Sequence, residues 1–178
     1  MAEDFKSLLG ELLQDTYSAE TQLLEALPEM AEAAATPQLK QAFQEHLAMT
    51  QRQVERLEKV AEMLGVDPEG EDCEAMEGLI AEGEEIVDEH DEGPVRDAAL
   101  IVAAQKVEHY EIAAYGSLVT MAKAAGMREA ADLLAQTLQE EKDTDELLTQ
   151  VAEQQVNPAA LRGAAANDAT KGRKGSAA

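Results

Sequence analysis

Residues 107–118 read VEHYEIAAYGSL. On a helix, Glu108, Glu111, Tyr115 and Leu118 follow one another at spacings of three and four, the pattern of a bundle seam facing its partners. Two glutamates therefore occupy a face that should be apolar. If Tyr115 and Leu118 point into a core, so do both carboxylates, and what holds them there bears on fold and function together.

The surrounding chain favours helix. It has 178 residues, enough for one domain with a substantial core. Ala, Leu, Glu and Gln dominate, while three Tyr, two Phe and no Trp make up the aromatics. Breakers divide the sequence into five helical segments. The first runs from about Glu3 to Ala35 and stops at Thr36-Pro37, with Pro37 placed to start the next helix and Thr36 to cap it. The second reaches about Leu64 and ends in GVDPEGED; a short one spans about Glu74 to Glu89. The fourth runs from about Val95 to Ala125, before Gly126, and the fifth from Met127 to about Gln155, before Asn157-Pro158. Short turns make each pair of long helices an antiparallel hairpin. The expected fold is an all-α four-helix bundle over residues 1–156, its long crossover carrying a short fifth helix. Residues 157–178 are Ala- and Gly-rich, with Arg162, Lys171, Arg173 and Lys174 against Asp168, and read as a disordered basic tail.

Charge and cysteine usage narrow the function classes. A formal charge of −23 disfavours contact of the body with nucleic acid or anionic membranes. No apolar run approaches the roughly 20 residues that span a bilayer. Cys73 is the single cysteine, and the acidic amphipathic start is unlike a signal peptide, so the expected location is the cytoplasm.

All four long helices interrupt their apolar stripe in the middle third. The first gives Leu9, Leu13, Thr16, Glu20, Leu23, Leu27, and the second Leu39, Phe43, His46, Thr50, Gln53, Leu57. The fourth gives Ile101, Ala104, Glu108, Glu111, Tyr115, Leu118, and the fifth Leu134, Leu138, Glu141, Asp145, Leu148. Counting from the turns sets Glu20 opposite Thr50 to Gln53, Glu111 opposite Glu141, and Glu108 opposite Asp145. The hairpins also align with each other, Glu20 on Glu111, Leu27 on Leu118 and Met30 on Met121. Dry, unpaired carboxylates cost several kcal/mol each. Protonation, basic partners or a cation would relieve them; Lys106, Arg52 and Lys142 lie off the stripes, and a divalent metal explains the clustering most economically. Glu20, Glu108, Glu111 and Glu141 are the first candidate ligands, His46 and Asp145 the next. A lone seam residue more often sets register, so Thr50 and Gln53 read as hydrogen-bonding residues. His109 lies about 100° off the stripe and reads as packing or outer contact, His90 as solvated. The tyrosines pack, with Tyr17 and Tyr115 placed for roles near a metal.

Three stretches, DTYSAETQLLEALPEMAEAA, LKQAFQEHLAMTQRQVERLE and VEHYEIAAYGSLVTMAKAAG, resemble the YciF-type branch of the ferritin-like superfamily. The resemblance covers about residues 3 to 155. It implies a ferritin-like bundle, a homodimer, and a bacterial stress-associated protein related in shape to rubrerythrins and manganese catalases. In that superfamily two metals sit between a Glu on the first and third bundle helices and Glu-x-x-His on the second and fourth. Glu20 matches the first, Glu108-x-x-Glu111 resembles the third, and Glu141 stands for the glutamate of the fourth. Glu-x-x-His is absent; Thr50-x-x-Gln53 and Glu141-x-x-Thr144 take its place, with His46 one turn away. The resemblance thus implies iron or manganese, one or two ions, and redox chemistry on a small oxidant such as peroxide. The rival expectation is a non-enzymatic dimeric stress or structural protein with a degenerate site; a third is iron storage in a large shell. Whether the protein is an enzyme stays open at this level.

Overall fold

The computed structural model describes residues 3–163. Five helices carry the fold: α1 (Glu3–Ala33), α2 (Pro37–Leu64), α3 (Glu74–Glu89), α4 (Pro94–Ala124) and α5 (Arg128–Val151). There is no strand among the described residues. α1 packs along α2 and α4 along α5, as the short turns require, and the hairpins meet through α2 on α5 and α1 on α4. The crossover helix α3 lies across α1 and α4. No helix among the described residues is long and apolar enough to cross a membrane.

The turns show how the chain sets this geometry. After α2 and α4 the backbone swings into the left-handed region at Gly65 (φ 67°) and Gly126 (φ 76°), a conformation that glycine adopts without a side-chain clash. Val66 N–H then reaches the Ala61 carbonyl at 3.1 Å, and Met127 N–H the Ala122 carbonyl at 2.9 Å, closing both helix ends. The α1–α2 turn works differently from the sequence expectation. Thr36 precedes Pro37 in extended backbone, yet its side chain does not cap α2. Its hydroxyl donates to Asp97 on α4, which also accepts the Ala35 N–H at 2.9 Å and the Thr36 N–H at 2.7 Å. Arg96 donates to the Ala33 carbonyl at 2.7 Å. The first turn of α4 thus clamps the end of the other hairpin through a fully buried carboxylate.

At the C-terminal end the expected boundary moves. α5 widens into a π-helical turn over Ala152–Val156, where Asn157 N–H bonds to the Ala152 carbonyl, and helix continues over residues 157–163. Pro158 would clash with the carbonyl four residues earlier in a regular α-helix, and the wider turn relieves that conflict. Val151 and Val156, both buried, dock this turn on the bundle. Residues 157–163, read from sequence as tail, are therefore helical. The remainder of that tail lies outside the described residues.

The core is split. One apolar cluster, with Leu23, Leu27, Leu39, Phe43, Leu100, Ile101 and Leu148, fills the end near the α1–α2 turn. A second, with Leu9, Leu13, Leu57, Val60, Leu118 and Leu134, fills the opposite end. Between them lies a buried polar layer.

Candidate metal centre

The seam spacing of each long helix feeds this layer. α1 contributes Glu20, α2 His46, Thr50 and Gln53, α4 Glu108 and Glu111, and α5 Thr137, Glu141 and Thr144, all buried. The residues matched by the hairpin alignment share their environments: Glu20 and Glu111 are both fully buried, Leu27 and Leu118 are core, and Met30 and Met121 are half-buried.

His46, Glu108, Glu111 and Glu141 each present one ligand-type atom, and these atoms all lie within 4.8 Å of one another. His46 Nε2 stands 3.7 Å from Glu108 Oε1 and 4.0 Å from Glu141 Oε2. Its other nitrogen, Nδ1, lies 3.3 Å from Thr144 Oγ1. The Thr144 hydroxyl already donates to the Glu140 carbonyl at 3.0 Å, so it accepts from His46. Nδ1 therefore carries the proton, and the lone pair of Nε2 faces the carboxylates. Burial pushes the imidazole down to about 4, so it is neutral at pH 7 and its approach to Glu108 is no ion pair.

The carboxylates lack counter-charge. Glu20 accepts the Tyr115 hydroxyl on one oxygen, and Glu141 accepts the Gln53 amide. Five buried carboxylate oxygens find no partner: Glu20 Oε2, Glu108 Oε2, both of Glu111, and Glu141 Oε2; His46 Nε2 is likewise unpartnered. Desolvation first, and repulsion from Glu141 and its neighbours second, hold Glu20, Glu108 and Glu111 well above the ordinary carboxylate range. Glu141 is raised to about 8, again chiefly by burial. Arg56, three residues beyond Gln53, draws Glu20 and Glu141 down without offsetting their burial. Its guanidinium grips Glu140 with a 2.8 Å Nη2–Oε1 contact and donates to Thr137 at 3.1 Å, forming a partly exposed cover beside the layer.

Asp145, a candidate ligand by sequence, is not part of this group. It is half-buried, accepts Gln105 Nε2 at 3.0 Å and lies 3.5 Å from the exposed His109. Its place toward the bundle axis goes to Thr144. A heptad-like stripe allows either neighbour to face inward, and on α5 the chain turns Thr137 and Thr144 in, with Leu138 and Asp145 to the flank. Of the remaining residues, Tyr17 reaches Glu58 at 3.5 Å, and His90 is half-buried. Tyr110 donates to Asp15 at 2.6 Å and lies 3.0 Å from Cys73 Sγ, away from the layer. Sequence reasoning did not foresee Thr144 as the partner of His46 or Asp97 as the turn clamp. The first had a signal in Glu141-x-x-Thr144, a spacing that places both side chains on one face; the second, one carboxylate in an N-terminal turn, had none.

The sequence matches the family model described as "Domain of unknown function (DUF892)" over residues 4–161. The chain belongs to this family. It is 52% identical over 147 residues to Protein YciF of Escherichia coli (strain K12), covering 82% of this chain and 89% of that protein. The crystal structure of the E. coli stress protein YciF superposes with a TM-score of 0.83 at 49% identity, over 88% of this chain and 99% of that one. YcfI of Rhodopseudomonas palustris, described as a candidate structural protein, superposes with a TM-score of 0.80 at 41% identity, over 85% and 99%. The YciF-type resemblance and the all-α bundle of the sequence reading thus hold. Among the described residues, His46, Glu108, Glu111 and Glu141 could hold a metal ion, and their unpartnered carboxylate oxygens and imidazole nitrogen are donors of the type such an ion takes.

Proposed function

We propose that this YciF-type protein binds iron or manganese in the buried layer and uses it in redox chemistry on peroxide or oxygen as part of a stress response. The observation that carries the reading is that His46, Glu108, Glu111 and Glu141 present ligand-type atoms within 4.8 Å of one another while carboxylate oxygens of all three glutamates and His46 Nε2 lack a partner. Mixed carboxylate and imidazole donors suit these ions, which exchange oxidation states and supply one-electron chemistry when bound. His46, Glu108, Glu111 and Glu141 would form one position. Glu20, together with Glu111 and Glu141, would hold a second. Four carboxylates balance two divalent ions; a single ion would leave two of the carboxyls protonated. Thr144 and Tyr115 orient His46 and Glu20, and the apolar clusters on either side exclude water. A homodimer is part of the same proposal.

A second reading has its own support. Thr50 and Gln53 stand where the superfamily pattern asks for a glutamate and a histidine, and YcfI is described as a candidate structural protein. Metal analysis separates the two. Protein grown in iron- and manganese-supplemented medium is expected to carry one or two ions per chain, lost in a Glu111→Ala/Glu141→Ala variant. Wild-type protein that arrives empty and takes up neither Fe(II) nor Mn(II) would leave the structural reading standing.

A further inference from the structure

α3 covers the side of the bundle formed by α1 and α4; the side formed by α2 and α5 lies opposite. There the buried layer approaches solvent through three side chains in a row. Glu141 and Gln53 are fully buried, whereas the side chain of Glu140 is 25% exposed. Adjacent residues on α5 point about 100° apart, so one carboxylate faces the layer and its neighbour the edge. Gln53, reaching across from α2, joins the two: its Nε2 donates to Glu140 Oε2 at 3.1 Å and also to Glu141.

Arg56, one turn after Gln53 on α2, closes the outer end. Its guanidinium holds Glu140 by contacts of 2.5 Å (Nη1–Oε2) and 2.8 Å (Nη2–Oε1), the paired arrangement that a planar fork makes with a carboxylate. Burial pushes the Glu140 carboxyl up, but Arg56 and Gln53 outweigh it and hold the group below the ordinary carboxylate range. Glu140 therefore stands ionised beside a layer whose inner carboxyls are raised.

Two further atoms point to a ligand here. Gln53 Oε1 and Thr50 Oγ1, both buried and one turn apart on α2, have no hydrogen-bond partner among the described residues. The Gln53 nitrogen serves two carboxylates while its oxygen goes unserved. A cation between Glu140 and Glu141 satisfies all three groups: with the amide turned over, Oε1 takes the place of Nε2 and becomes a neutral oxygen donor.

We propose that Glu140, Gln53 and Glu141 form a portal through which a divalent cation reaches the layer, latched from outside by Arg56. Glu140 receives the cation at the edge, the Gln53 oxygen carries it past the wall, and Glu141 delivers it to the group that includes His46. Arg56 and the cation compete for the same carboxylate, so the pair opens for passage and closes again behind it. Partial exposure keeps that pair weak enough to open. The portal rests on the metal-centre reading, and it adds to that reading a path and a latch.

The test follows Co(II) uptake by the chelator-stripped full chain, and its release into excess chelator, by stopped-flow visible absorbance. Glu140→Gln should slow uptake and release alike, about tenfold, with the saturated metal content unchanged. Arg56→Lys keeps the charge and loses the fork, and should speed both about threefold or more with little change in affinity. That gain should vanish in the Arg56→Lys/Glu140→Gln double variant. Glu146→Gln, which removes an exposed carboxylate from the same helix, should leave both rates as in the wild type. Circular dichroism should show every variant folded; if Glu140→Gln does not fold, the rates of Arg56→Lys decide. Rates unchanged in Glu140→Gln and Arg56→Lys would overturn the portal, as would a loss of affinity in Glu140→Gln at an unchanged uptake rate, the mark of a ligand or a prop. Wild type that takes up no Co(II) would refute the metal-centre reading, and the portal with it.

Discussion

Glu141→Gln offers the sharpest test of why the carboxylates are buried. In the metal-free protein the Glu141 carboxyl is raised from 4.5 to about 8. At pH 7 folding must then keep a proton on a group that the unfolded chain would ionise. The penalty is nearly the distance from 4.5 to 7 at 1.36 kcal/mol per pH unit, about 3 kcal/mol. The sign follows from linkage: an acid raised on folding subtracts nothing below pH 4.5, subtracts progressively more as pH rises, and reaches its limit above pH 8. Glutamine carries no such penalty and keeps nearly the same shape. Urea unfolding of chelator-treated protein should therefore show the variant more stable than wild type by up to about 3 kcal/mol at pH 7, and by less than about 1 kcal/mol at pH 5. Added Mn(II) should reverse the order, stabilising the wild type through binding to the folded state alone and leaving the variant nearly unmoved. A metal-free variant less stable than wild type at pH 7, or a difference that ignores pH, would refute the reasoning, since Glu141 would then be well solvated or paired as it stands.

Other residues give independent outcomes. Thr144→Val removes the acceptor that fixes the tautomer of His46 without changing the volume much; metal affinity by chelator competition should fall about 10- to 100-fold with the fold intact. Asp145→Asn should leave metal content unchanged by elemental analysis, because Asp145 pairs with Gln105 at the flank of α5. Asp97→Asn disrupts three hydrogen bonds at a buried clamp and should cost about 2 to 3 kcal/mol, lowering the melting temperature by about 5 to 10 °C. By contrast Lys106→Ala, which breaks the exposed ion pair with Glu82, should change stability by less than about 1 kcal/mol.

Helix positions and the existence of the polar layer were written in the sequence itself. Gly65, Gly126 and Pro37 punctuate the chain through backbone sterics that need no partner, and the stripes on α1, α2 and α4 place Glu20, His46, Gln53, Glu108 and Glu111 inward because a 3.6-residue turn leaves them no other face. Where periodicity is indifferent, the tertiary structure decided. On α5 the stripe admits Thr144 or Asp145, and only His46 across the bundle, in need of an acceptor for Nδ1, distinguishes them. Asp97 sits in an ordinary N-terminal turn until the α1–α2 loop arrives with three donors. Pro158 reads as a stop, yet the π-helical turn before it lets the helix run on, with Val156 docked on the bundle. The link from Glu140 through Gln53 to Glu141 exists only once α5 is laid against α2. Local propensity acts along a single helix, whereas each of these outcomes depends on atoms brought from distant parts of the chain, and a hydrogen bond exists only between surfaces that have already met.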